Sequence, residues 1–285
     1  MGLDDQIHGI STLITLALRN IHSQGSGFFY HRMGEKDPTK DLQWVRIENT
    51  WLVTNRHVVL TKVKGVETLP DALTFNLRKL VSNRIEWEPI TILKDELVNR
   101  TLFHKNNAID VCIICIDDLI SSKIKSVDQI MNWYGVSKDY FPGQNKINVE
   151  ASSDAIVIGY PRGFYDENNL FPIVKSGIIA TRWGYHFNGN PYFLIDAKLF
   201  PGSSGSIVLS KPTDIVVHDK TVFSSKEKQY AFLGIFSGEP FIQESPFEFD
   251  DITIIKKSGF NLGVVWYGHL IEEIIDNGIK YNTIP

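Results

Sequence analysis

The chain of 285 residues is poor in cysteine, with only Cys112 and Cys115, and this excludes a disulfide framework. Both lie in "VCIICI". A C-x-x-C spacing fits a metal or redox site only with a second ligand pair, and none accompanies it. The pair reads instead as two small apolar side chains in a buried strand. No run of 18 apolar residues occurs, so no transmembrane span is expected. There is no excess of positive charge. The net charge is −4, which gives no reason to expect nucleic acid or an anionic membrane as partner. The apolar run "ISTLITLAL" follows Asp4 and Asp5 rather than Lys or Arg and precedes no small-x-small cleavage site, so a cytoplasmic location is expected. Repeats and low-complexity linkers are absent as well.

What is present is an ordinary soluble composition, 43% hydrophobic and 22% charged, long enough for a large core. Short apolar runs alternate with turn residues. "GSGFFYHR", "TWLVTNRHVVL", "AIDVCIICI", "DAIVIGYP", "VKSGIIATRW", "YFLIDAKL", "GSIVLS", "YAFLGIFSG" and "LGVVWYG" all read as strands. Many strands without interleaved helices predict an all-β barrel or sandwich. Residues 7–21 fit a helical face or a strand; a strand, in a hairpin with "GSGFF", is expected. A C-terminal helix is predicted at about 266–278, with Gly278 as its cap, and a weaker one at about 126–134. Polar connections are expected at 31–43, 138–153, 211–229 and 239–252. The last carries Glu239, Glu244, Glu248, Asp250 and Asp251.

One stretch, "PGSSGS" at 201–206, asks for a chemical reading. It suits a plain turn. It also suits a G-x-S-G arrangement in which Ser204 is a nucleophile and the N–H groups of Gly202 and Ser204 hold an oxyanion. The G-x-S-x-G elbow fails, because residue 206 is serine and a strand follows rather than a helix. Serine needs an imidazole to take its proton and an acid to fix that imidazole's tautomer. Of eight histidines, His57 in "WLVTNRHVVL" has the sharpest context, and Asp110 opens the strand "DVCIICI". The chain order His57, Asp110, Ser204 is one of the known triad orders. Asp117 and Asp118 are rivals for Asp110 but lie beyond the apolar run. His104, His186, His218 and His269 show no metal-ligand spacing, so no metal and no cofactor are expected.

These three motifs, in order, resemble trypsin-like serine peptidases, and in pattern the bacterial HtrA-like branch. "WLVTNRHVV" is similar to the histidine segment, "AIDVCII" to the acid segment and "IDAKLFPGSSGSIV" to the serine segment, with "GSGFFY", "LGIFSG" and "LGVVWYGHLIEEII" as flanking elements. The resemblance spans about residues 7–277. It implies two antiparallel six-stranded β-barrels of chymotrypsin type in one peptidase domain. The N-terminal barrel would cover about 7–135, the C-terminal barrel about 150–266 and the helix about 266–278. It also implies an endopeptidase acting through an acyl-enzyme, with His57, Asp110 and Ser204 as the triad and Ser237 bonded to Asp110. Lys198, Leu199, Phe236, Ser237 and Gly238 would line the substrate cleft. Lys198 falls at the base of the primary pocket, where it would favour an acidic residue, whereas Leu199 would make the pocket apolar.

The implied partner is a protein or peptide substrate, with a protein activator or inhibitor as a possible regulator. The sequence departs from the family at Ser203 and Ser206. It shows no internal activation sequence, and too few residues follow Ser204 to add a PDZ domain. Zymogen activation is therefore not expected, and control by a partner or by loop ordering is. Two alternatives stay open: a catalytically weak scaffold or sensor built on the same fold, and a hydrolase of esters or small amides.

Overall fold

The computed structural model describes residues 2–36, 45–81, 84–123, 130–131, 134–144, 146–161, 164–218, 221–243, 247–249, 252–254 and 257–284. The first half runs α1 (Leu3–Ile10), β1 (Ser11–Leu18), β2 (Ile21–Lys36), β3 (Val45–Thr54), α2 (Arg56–Val59), β4 (Thr61–Val63), β5 (Val66–Thr68), β6 (Ala72–Val81), β7 (Arg84–Leu93), α3 (Lys94–Arg100), β8 (Thr101–Phe103), β9 (Cys112–Cys115), α4 (Asp117–Lys123) and β10 (Ile130–Met131). The second runs β11 (Asp154–Gly159), β12 (Ile173–Ile179), β13 (Tyr192–Asp196), β14 (Ile207–Ser210), β15 (Thr213–His218), β16 (Thr221–Gln229), β17 (Phe232–Gly238), β18 (Phe241–Gln243), β19 (Phe247–Phe249), β20 (Ile252–Ile254), β21 (Lys257–Gly259), β22 (Leu262–Tyr267), α5 (Leu270–Asn277) and β23 (Ile279–Lys280).

The fold is mostly β, as expected. In the second half β11, β12, β13, β22, β17 and β14 close an antiparallel six-stranded barrel. In the first half eight strands join the C-terminal β23 in one nine-stranded sheet ordered β10-β6-β1-β2-β3-β9-β8-β23, with β7 on β6, while β4 and β5 pair apart; among the described residues these strands do not close into a ring of six.

Side-chain alternation explains how the halves pack. On β11, Ala155 and Val157 point into the barrel, while Ile156 and Ile158 point out of it. The outward set joins Ile207, Leu209, Phe232 and Ile235 of the same barrel to Phe28, Tyr30, Val53 and Ile113 of the first half. The alternate residues Phe29, Leu52, Cys112 and Ile114 fill the first half's own core. These strands are buried on both faces, and for that reason they read as unbroken apolar runs rather than as alternation. Cys112 is fully buried and Cys115 half-buried on β9, and both are free thiols.

Several local expectations are corrected. Residues 7–10 belong to α1, and the strand begins at Ser11. Asp4 and Asp5 sit in the first turn and His8 in the last, which suits a helix dipole. Buried Arg78 anchors this helix by donating to the Asp5 carbonyl and carboxylate at 2.8 and 2.7 Å. The helix expected at 126–134 falls largely outside the described residues; of the described ones, Ile130–Met131 form a strand on β6 and Tyr134 is in no helix. The connections at 31–43 and 211–229 contain the end of β2 and the hairpin β15–β16. The acidic segment 239–252 holds β18 and β19, which pair with β21 and β20; Glu244, Asp250 and Asp251 lie outside the described residues. The C-terminal helix starts at Leu270, after β22 has run on to Tyr267. Gly278 caps it by donating its N–H to the Ile274 carbonyl at 2.8 Å, where a Cβ would collide with that same oxygen. No described helix is long and apolar enough to cross a membrane.

Burial beside Gly135 and Thr50 holds the His31 imidazole down at about 4, against an ordinary 6.5, because desolvation disfavours its charged form. The unfolded chain therefore binds this proton first as pH falls. His31 should remove stability progressively between pH 6.5 and about 4, by a total on the order of 3 kcal/mol. Urea unfolding of wild type and His31→Gln across that window should show a steeper loss of stability in the wild type than in the variant.

Candidate active site

His57 stands on the single turn α2, which follows directly from β3. Two buried neighbours fix that turn. Asn55 is fully buried; its carbonyl accepts the N–H groups of Val58 and Val59, and its Nδ2 donates to the Asp110 carbonyl at 2.6 Å. Arg56 is buried against Glu67 at 2.5 Å, with its guanidinium 5.2 Å from the Phe103 ring centre. His57 is left half exposed at the surface of the first half.

Asp110 lies between buried Ile109 and Val111, just ahead of β9. A carboxylate beside a core strand must be hydrogen-bonded. It accepts the His57 backbone N–H at 2.9 Å on Oδ1, the His57 ring Nδ1 at 2.6 Å on Oδ2, and the Ser237 hydroxyl at 2.6 Å on Oδ2. The carboxylate thus assigns the ring proton to Nδ1 and leaves Nε2 as an acceptor. Asp117 is at the other end of β9, where it accepts the Thr50 N–H and Asn49 Nδ2.

The stretch 201–206 forms two consecutive turns. Phe200-Pro201-Gly202-Ser203 closes with the Ser203 N–H on the Phe200 carbonyl, and Gly202 sits at φ +92°. Proline second and a positive-φ glycine third mark a type II turn. Ser203-Ser204-Gly205-Ser206 closes in the same way, with Gly205 at φ +85°. A Cβ on Gly205 would run into the Ser26 carbonyl and the Thr54 hydroxyl, so no side chain fits. The turns leave the N–H groups of Gly202 and Ser204 without an acceptor among the described residues. The Ser204 hydroxyl donates to the Ser237 carbonyl at 2.8 Å rather than to the His57 ring.

Gathered at this junction are His57, Asp110, Ser204, Gly202 and Ser237. The other sequence-predicted cleft residues are spread around it. Gly238 ends β17 with open space beside its Cα. Phe236 is buried in the barrel core and Leu199 packs against that core. Lys198 is exposed, and its carbonyl accepts the Lys175 ammonium. Ser206 stands where the family has a glycine: its N–H donates to the Ser203 carbonyl, its carbonyl accepts the Phe236 N–H, and Gly159 leaves room for its side chain, whose hydroxyl is buried without a partner among the described residues. Among the described residues no group of three or more His, Cys, Asp or Glu could hold a metal ion.

Three supporting residues went unassigned in the sequence reading. These are Asn55, Thr54 and Ser26, all fully buried. The available signal for Ser26 was its place between Gly25 and Gly27. Two glycines inside a strand mark a close approach, and a Cβ at either would press on Val58 or Ile14.

Together these groups offer an imidazole with its Nδ1 on a carboxylate, a serine hydroxyl linked to the same carboxylate through Ser237, and two N–H groups without an acceptor among the described residues. Those are the parts of acyl transfer through a covalent intermediate. The family model for the trypsin-like peptidase domain matches residues 25–217. Among solved structures, the chain is similar to the active form of the Rv3671c protease from M. tuberculosis at 13% identity, over 96% of this chain and 83% of that one, with a TM-score of 0.46. It is also similar to the protease Anisep from Arthrobacter nicotinovorans at 12% identity, over 93% of each chain, with a TM-score of 0.46. Tobacco etch virus protease complexed with product matches at 8% identity, over 96% of this chain and 82% of that one, also with a TM-score of 0.46. No curated protein matches. With two thirds of its length covered by the family model, the chain belongs to the trypsin-like peptidase domain family.

Proposed function

We propose that this chain is a serine endopeptidase, nearest in motif pattern to the HtrA-like branch, that cleaves peptide bonds of protein substrates. The observation that carries the reading is the Asp110 carboxylate, which takes both the backbone N–H and the Nδ1–H of His57 and so leaves Nε2 as a base. Ser204 Oγ attacks the scissile carbonyl and gives its proton to His57 Nε2. The N–H groups of Gly202 and Ser204 hold the oxyanion of the tetrahedral intermediate. His57 then protonates the leaving amine, and an acyl-enzyme on Ser204 remains for water to hydrolyse. Ser237 steadies the acid through its hydroxyl, and its carbonyl holds the Ser204 hydroxyl until substrate arrives. An apolar cavity of about 590 Å³, lined by Pro161, Phe164, Ile173, Phe200 and Pro201 with Lys175, adjoins the Gly202 turn and suits an apolar substrate side chain.

A second reading is a protease fold that cuts little and serves as a scaffold or sensor. One observation favours it: the Ser204 hydroxyl is bonded to the Ser237 carbonyl and not to His57.

Intact-mass analysis after treatment with a fluorophosphonate separates the two readings. Wild type should gain one adduct and Ser204→Ala none. A wild type that stays unlabelled moves the scaffold reading to the front. Asp110→Asn should retain the fold and lose about 10⁴-fold in peptide turnover, because the amide no longer enforces the Nδ1–H tautomer. Steady-state kinetics on a peptide substrate, with thermal unfolding as the fold control, checks this. A loss below about tenfold would remove Asp110 from the triad.

A further inference from the structure

The two N–H groups that would hold the oxyanion need a reason to point outward, and the backbone between Phe200 and Ser206 supplies it. A trans peptide unit carries its N–H and C=O on opposite sides, so fixing either fixes both. The Gly202–Ser203 unit is held at both ends: its N–H donates to the Phe200 carbonyl and its C=O accepts the Ser26 hydroxyl at 3.1 Å. The Ser204–Gly205 unit is likewise held twice: its N–H donates to the Phe236 carbonyl at 2.9 Å and its C=O accepts the Ser26 N–H at 2.9 Å. Between them, the Ser203–Ser204 unit has its C=O on the Ser206 N–H, so its own N–H faces away. Three units are oriented, and two of them end on one residue of the first half.

Ser26 is itself fixed. It is fully buried, its hydroxyl accepts the Tyr160 N–H at 2.8 Å, and its carbonyl accepts the Thr54 hydroxyl at 2.8 Å. Its hydroxyl thus has a defined direction: the Tyr160 N–H occupies a lone pair and the single proton goes to Gly202. Ser203, at the centre of the stretch, is buried and uncharged, so no ion pair of its own side chain orders the turn.

We infer that Ser26 is a positioning residue for the oxyanion-binding turn: its hydroxyl on the Gly202 carbonyl and its N–H on the Ser204 carbonyl hold the two peptide units that flank the Ser204 N–H, and so turn that N–H toward the substrate. This rests on the peptidase reading above. The turn that presents the nucleophile is therefore ordered from within the chain, by contact between its halves.

The test compares wild type, Ser26→Ala, Thr54→Val and Ser210→Ala on one peptide substrate and one peptidyl boronate, which mimics the tetrahedral intermediate. Ser210 is a matched control: it is buried, and its hydroxyl accepts the Ala231 N–H far from the turn. Losing one oxyanion donor costs about 10²–10³-fold in kcat, and misorienting the turn should cost part of that. Ser26→Ala should lower kcat by about 10–100-fold, weaken boronate affinity by a similar factor and leave KM nearly unchanged. Thr54→Val, nearly isosteric, should act in the same direction by less, and it carries the test if Ser26→Ala does not fold. Ser210→Ala should lose stability only.

A Ser26→Ala enzyme that loses no more kcat than Ser210→Ala, or that loses KM with boronate affinity intact, overturns the inference and leaves the peptidase reading standing. A wild type that neither cleaves peptides nor binds boronate overturns the peptidase reading instead. Crystals of Ser26→Ala then still decide the positioning role, because an unmoved Gly202–Ser203 peptide would exclude it.

Discussion

The contact on which the site depends is between Ser26 and the turn that carries Ser204. His57 and Asp110 are furnished by the first half of the chain and Ser204 by the second, so their relation is set by how the halves meet. They meet here through two hydrogen bonds from a single buried residue, beside a shared apolar cluster that includes Phe28, Val53, Ile158, Ile207 and Ile235. The hydrogen bonds give direction and the apolar cluster gives adhesion. Neither suffices alone: apolar burial is non-directional, and hydrogen bonds contribute about 1 kcal/mol each once exchange with water is counted.

The strands make this arrangement possible because both of their faces are used. Alternate residues of β11, β14 and β17 line the barrel interior, and the residues between them form the wall against the first half. Loops at the ends of those strands therefore open onto the junction, and the Ser204 turn and Ser237 arrive there together. Specificity is the least constrained part. Lys198, expected at a pocket base, is exposed, and the apolar cavity beside Phe200 and Pro201 lies on the β11 side of the turn, away from Ser237.

How much could be read from the sequence follows from the same physics. His57, Asp110 and Ser204 drew notice in the sequence because each adjoins an apolar strand, His57 after β3, Asp110 ahead of β9 and Ser204 ahead of β14, and because glycine at 202 and 205 has few alternatives at positive φ. The buried strands were legible as apolar runs. The pair β6–β7 was not, since "ALTFNLRKLV" alternates burial only as far as Leu77 and then carries Arg78 and Lys79. The helix α1 was hidden because eight residues of mixed polarity fit either period; its dipole and the buried Arg78 decide it. The closed ring in the first half was an expectation of family likeness, and pairing among the described strands spreads instead into a nine-stranded sheet. Asn55 carried no signal of its own and Ser26 only its two flanking glycines, because a polar residue's partners across 55 and 176 positions of sequence are set by the tertiary fold.

The central claim is that Ser204 forms a covalent adduct whose oxygen is held by the Gly202 and Ser204 N–H groups. A crystal structure of the protein with a peptidyl boronate tests it most directly. The account predicts a bond from Ser204 Oγ to boron, one boronate oxygen about 2.7–3.1 Å from both nitrogens, and the Ser26 hydroxyl still on the Gly202 carbonyl. A boronate attached elsewhere, or bound to Ser204 with that oxygen turned away from both N–H groups, would contradict it.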